Sequence, residues 1–358
     1  NAADTLLPAL VSGKGPDTAL FVPKTTLANL YYRNALANLW EMTGWDKIED
    51  RFYPSALVSL QTGGKTFALP EIQIYNMLFY RTDIFGQQEL SAPETWDDFY
   101  SAVRRLQKNG MQTGVSESVK IYEMFLLQNG GTLYSKDESA TNMSGIQSVE
   151  AFTSWTDLYV KYNLPKSFDP LSRFRSGQMP MLIASLYFYS NLAAGAPEIA
   201  GRWKMAQVPG TDLQDGGVSH AQSCDVSGAA VMASSRRRED AFKFLDWWTS
   251  DSTQTRFGQE SESKMGTSAR YFPANRHVLS SVAWTQQELY EIEDQWGEVS
   301  DFPQTPAVYY VTRSLTNAFR RVIYEYENPR DVIYRYGRMA DSELQRKRAE
   351  LGLEEDAK

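Results

Sequence analysis

Between Phe67 and Asp83 apolar and polar side chains take turns: Ile72, Ile74 and Met77 alternate with Glu71, Gln73 and Tyr75. A period of two predicts a strand with one buried face, and it sets a carboxylate, an amide and a phenol in a row on the other face. The pattern then changes. Pro93 marks a turn, Thr95 stands where a helix N-cap belongs, Asp97 and Asp98 fill the first turn, and an amphipathic run continues to Leu106.

Elsewhere the same reading gives alternating helices and short strands. The opening residues have helical spacing and stop at Gly13 and Gly15; residues 18–22 form a short apolar strand, residues 25–39 a helix, and residues 45–52 a shorter one. Gly63-Gly64 predicts a hairpin turn. Helices follow at residues 122–131, closed by glycine, and at 148–162; residues 171–184 read as a short helix turning into a buried strand, and residues 224–231 enter another strand. In the helix at 239–249, Phe242, Leu245, Trp247 and Trp248 read as core, as do Tyr334, Tyr336 and Met339 in the closing helix at 328–347.

With 358 residues, 42% of them hydrophobic and 22% charged, the chain can bury two cores, so two domains are expected. A net charge of -8 argues against nucleic acid as a partner, and Arg236 to Arg238 lie beside Glu239 and Asp240 as a solvated turn. The single cysteine, Cys224, excludes an internal disulfide and a multi-cysteine metal site, and His220 and His277 lack ligand spacing, so neither metal nor cofactor is expected. No run approaches the roughly 18 to 20 apolar residues of a membrane span, and no signal peptide is read in this sequence.

Two catalytic motifs fail on inspection. Residues 59–66 lack the first glycine of a phosphate loop and lead into a strand, and Gly217-Val-Ser-His-Ala221 lacks the second glycine of a nucleophile elbow. The 9 Trp, 20 Tyr and 17 Phe supply many flat surfaces. Most belong in cores, but sugars present C–H faces that pack on such rings while polar neighbours take the hydroxyls.

The strings Ala68-Leu-Pro70, Tyr75-Asn76, Phe79-Tyr-Arg-Thr-Asp-Ile-Phe85 and Ala92-Pro-Glu-Thr-Trp-Asp-Asp-Phe99 resemble the extracellular solute-binding proteins of ABC importers, the family that includes maltose-binding protein. The likeness runs on to the last helix. It implies an α/β, two-lobed periplasmic-binding-protein-like fold of type II, each lobe a mixed sheet flanked by helices. Residues 1–73 and 210–302 would form the first lobe, and residues 76–207 and 307–358 the second. Three crossings would join them: the strand at 67–83, Val208-Pro-Gly210, and Phe302-Pro-Gln-Thr-Pro306. The family's first strand, helix and second strand have no counterpart here, so a further N-terminal segment is expected.

The resemblance implies a binder and not an enzyme: a carbohydrate, expected to be an oligosaccharide, is held between the lobes and delivered to the membrane permease. It also implies a monomer outside the cytoplasm, extracellular or periplasmic, with lipoprotein anchoring among the family's habits. Phe21 and Lys24 follow the first recognisable strand, where the family makes first-lobe contacts. Tyr187 stands where the family presents an aromatic ring to the cleft, and Tyr309 or Tyr310 where a second-lobe helix does so, with Arg313 behind. Asp225 and Tyr271 lie in loops that approach ligand, and Tyr122 completes the candidates. Glu71, Gln73, Lys24 and Arg313 would take hydroxyls, and for an acidic ligand Lys24 and Arg313 would pair with its carboxylate. Two other readings stay open, a ligand-sensing receptor domain of the same fold and a carbohydrate-active enzyme.

Overall fold

The computed structural model describes residues 2–353, leaving Asn1 and residues 354–358 outside. In chain order its strands are β1 (Thr18–Pro23), β2 (Gln61–Thr62), β3 (Lys65–Thr66), β4 (Leu69–Ile74), β5 (Asn76–Arg81), β6 (Thr113–Val115), β7 (Met181–Ser185), β8 (Trp203–Ala206), β9 (Thr211–Asp212), β10 (Val218–Ser219) and β11 (Asp225–Val231). The alternation at 67–83 thus becomes two strands in tandem, β4 and β5, with Tyr75 between them. One extended run feeds two sheets: β4 joins the order β1-β11-β4, and β5 joins β6-β7-β5-β8.

The second sheet is mixed, with β6 parallel to β7 and antiparallel pairings elsewhere. The first departs from the mixed sheet expected for each lobe, because its described strands are all antiparallel. Among the described residues β1 pairs on one side only.

Helices cover both sheets because successive strand residues point to opposite faces. Leu78 and Ile183 meet Phe99, Trp155 and Phe319 on one face of the second sheet, while Phe79 and Leu182 on its other face join a core that continues to Leu27, Ala230 and Trp296 of the first. A third core packs Leu69, Ala229 and Val231 under Phe242, Leu245 and Trp248. Trp247, read as core, is exposed, as is Met339. The buried residues of the helix Arg238–Trp248 are Ala241, Phe242, Leu245 and Trp248, and Trp247 sits about 100° round the helix from Trp248.

Local signals behave as their chemistry requires. Thr95 and Asp98 close a reciprocal capping box on the helix Trp96–Lys108, and Gly63 and Gly64, both at positive φ, turn the hairpin between β2 and β3.

The links between the sheets are tied to one another by one buried side chain. Gln222 accepts from the Asn76 amide at 2.9 Å and donates to the Asn76 carbonyl at 2.8 Å, while its own carbonyl accepts from Ser300 N at 2.9 Å. Upstream, residues 209–211 stay with the second sheet's helices, because Gly210 exchanges backbone bonds with Glu94 and Trp96 and Thr211 bonds Gln128.

Candidate functional site

A cavity of about 390 Å³ opens where elements of the two sheets converge. From the first come Lys24 and Thr25, at the start of the helix Lys24–Tyr32, and Asp225, at the start of β11. From the second come Glu117, Lys120 and Glu123 around the start of the helix Val119–Gln128, Tyr134, and Thr312 of the helix Val308–Glu325. Asp301 to Gln304 form its floor.

The floor is a charge network. Lys24 pairs with Asp301 and donates to the Cys224 carbonyl at 2.7 Å. Lys120 reaches the same carbonyl at 3.0 Å from the other side of the groove, with Glu123 at 3.0 Å and Asp225 at 3.6 Å. Ser223 donates to Glu123 at 2.5 Å. Burial works to lower the Lys120 pKa, and Glu123, Asp301 and Asp225 more than reverse it, holding the ammonium well above its ordinary value. Burial pushes the Cys224 thiol upward, helped by Asp301, so it stays protonated and is no nucleophile.

Two buried polar side chains border this cavity. The Tyr134 hydroxyl lies beside Thr305, and Gln304 donates to the Phe302 carbonyl at 3.1 Å.

Of the residues expected from the sequence, Lys24 and Asp225 line the cavity. Tyr187 is 45% exposed, packs edge-on against Phe272 at 5.1 Å, and has its hydroxyl pKa raised by burial and by Asp225. Phe21 is exposed three residues before Lys24, at φ +54, an unusual conformation for a bulky side chain.

The expected polar row points inward. Glu71 is buried, accepting from Phe21 N and from Trp248 Nε1, each at 2.5 Å; burial raises its carboxyl to about 7 against the pull of those two bonds. It supports Phe21 from behind and does not reach the groove. Gln73 is fully used by Ser55, Cys224 and Trp296. Both faces of β4 are covered, so its alternation separates two interiors and not core from ligand.

Three further expectations are corrected. Tyr122 lies fully buried in the core around the second sheet, sharing a 2.6 Å bond with Ser148. Tyr271 is buried with its hydroxyl on the Glu71 carbonyl at 2.8 Å and on Gln254. Arg313 lies in a furrow between the last two helices with Tyr310, Arg335 and Arg338, away from the groove. Tyr309 is exposed and lines a separate cavity of about 570 Å³ with Thr25, Tyr32 and Tyr310; Val308 and Thr25 border both cavities. The smaller one is the better candidate, because the network of lysines and carboxylates lies there.

Sequence reasoning missed Lys120, Glu123, Tyr134, Asp301 and Gln304. The first two carried a signal: three residues apart after the N-cap Ser118, they share one helix face.

Two α/β sheets joined by an extended run, with a polar cavity between elements of each, define a solute-binding protein of the two-lobed class. The chain belongs to the bacterial extracellular solute-binding proteins: the family model of that description matches residues 1–291. Solved structures share the fold at low identity. The sugar-binding protein MalE from Xanthomonas citri is 17% identical with a TM-score of 0.83, covering 99% of this chain and 90% of that one. An ABC transporter solute-binding protein from Thermotoga lettingae, bound with alpha-D-tagatose, is 20% identical with a TM-score of 0.73, covering 95% and 88%. The GacH receptor of Streptomyces glaucescens is 16% identical with a TM-score of 0.75, covering 96% and 88%. No curated protein matches the sequence. Among the described residues no helix is long and apolar enough to cross a membrane.

Proposed function

We propose that the protein captures a carbohydrate in the groove between its lobes and delivers it to the permease of an ABC importer. The observation that carries this reading is the cavity itself, whose walls come from elements of both sheets and hold a network of lysines and carboxylates. Tyr187, partly exposed and near enough to Asp225 to feel its charge, is the ring proposed to pack on the sugar. The sugars named with the similar structures, tagatose and acarbose among them, support a carbohydrate over other solutes.

The lobes follow the division expected from the sequence, residues 1–73 with 210–302 and residues 76–207 with 307–358, except that residues 210 and 211 stay with the second; its described part ends at 353. The chain crosses between them three times, at Tyr75, between Gly210 and Asp225, and at residues 299–306, and Gln222 gathers these crossings into one hinge. The protein acts as a monomer outside the cytoplasm and as a binder, not an enzyme.

A thermal-shift screen of oligosaccharides, amino acids and polyamines tests the reading. A ligand at a hundred times its dissociation constant stabilises the folded state by about 2.7 kcal/mol. Stabilisation by a sugar is expected; stabilisation by amino acids or polyamines with none from sugars overturns it.

A further inference from the structure

We infer that Lys120 and Glu123 of the second lobe form a latch with Ser223 and Cys224 of the first, and that this latch holds a fraction of the molecules closed before a ligand arrives. The inference rests on the two-lobed closure of the proposed function and not on the nature of the ligand.

The latch is made of bonds between the chain's own groups. Lys120 and Glu123 stand on the helix Val119–Gln128, whose Ile121, Tyr122 and Phe125 are anchored in the core around the second sheet. Ser223 and Cys224 lead into β11, and Cys224 is held in the first lobe by Gln73 on its sulfur at 3.3 Å and by Lys24 on its carbonyl at 2.7 Å. From across the groove Lys120 donates to that same carbonyl at 3.0 Å, and Ser223 donates to Glu123 at 2.5 Å. Ser223 is 2% exposed, and the side chains of Lys120 and Glu123 are 22% and 11% exposed, so little water competes for either bond. Asp225 adds less, because it lies 3.6 Å from Lys120 and is mostly exposed.

The same bonds can release without stranding a buried group. When the lobes part, the Cys224 carbonyl loses Lys120 but keeps Lys24, and Glu123 loses Ser223 but keeps Lys120, three residues away on its own helix at 3.0 Å. Only the Ser223 hydroxyl gives up its partner, and parting opens it to water. Opening therefore avoids the cost of an unpaired buried group, and the two inter-lobe bonds bias the balance of open and closed forms. The apparent affinity of a ligand scales with the fraction of molecules already in the competent form, so the latch sets affinity as well. Ser223 does not line the cavity, which makes it a positioning residue that acts through Glu123.

The test uses the whole chain without ligand. Small-angle X-ray scattering compares wild type, Ser223→Ala and Lys120→Met, with a thermal melt of each to show that it is folded; Ser223→Ala removes a single oxygen and is expected to fold as wild type does. Both variants are expected to show a larger radius of gyration than wild type. Unliganded variants that scatter as wild type does would overturn the inference. Ser223→Ala is further expected to weaken the binding of a sugar roughly threefold, as the closed fraction falls by that factor. Failure of every sugar to bind would overturn the carbohydrate reading, and the scattering of the unliganded proteins would still decide the latch.

Discussion

Single residues divide into those that meet the groove and those that hold its walls. Tyr187, partly exposed and near enough to Asp225 to feel its charge, is proposed for the first kind. Replacing it with Ala should weaken sugar binding by about 1–3 kcal/mol if its ring stacks on the ligand; calorimetry with an unchanged affinity would remove it from the site. Glu71 belongs to the second kind, and its chemistry makes a statement about pH. Its folded pKa of about 7 lies above the ordinary carboxylate value of 4.5, so the folded state holds the proton more tightly. The group's contribution to stability is full below about 4.5 and is lost as pH rises through 7. Glu71→Gln should remove that slope, a difference on the order of 3 kcal/mol between pH 4.5 and 8. Denaturation midpoints of the two proteins that run parallel across this range would contradict it.

The sequence disclosed residues at this scale unevenly. Lys24 and Asp225 were legible because each stands at the end of a strand, where a lobe presents its loops. Glu71 and Gln73 misled because alternation reports two faces without saying what covers each. Tyr122 misled because it neighbours two cavity-lining residues, Lys120 and Glu123, on a helix whose other side is core.

At the scale of elements, local chemistry was the most legible. The capping box at Thr95, the Gly63-Gly64 turn and the glycine after the helix Val119–Gln128 each follow from short-range bonds, so no distant partner was needed to read them. Trp247 and Met339 were illegible for the opposite reason: hydrophobic side chains marked as core by identity lie off the stripe that their helices bury. Gln222 was illegible too, since its role depends on three chain segments meeting. Gln222→Ala should lower the melting temperature by leaving the Asn76 amide and carbonyl unpaired, at about 1–3 kcal/mol for each group left buried. The conservative Gln222→Glu should restore only the bond from the Asn76 amide. A thermal melt of Gln222→Ala that superimposes on wild type would show that the tie contributes nothing.

For the whole molecule, the likeness in the strings at 68–85 and 92–99 already implied two lobes, and the family match agrees. What sequence could not supply was which side chains of the two lobes converge, because Lys120 and Cys224 are brought to 3.0 Å from positions about a hundred residues apart. Closure on the ligand is a proposal that rests on this convergence: a ligand touching Glu117 to Glu123 on one side and Lys24 to Thr25 with Asp225 on the other would gain all of its contacts only when the lobes meet. Small-angle X-ray scattering on the protein with and without a saturating sugar tests this most directly. A smaller radius of gyration with the sugar bound is the predicted result; a sugar that binds with unchanged scattering would contradict it.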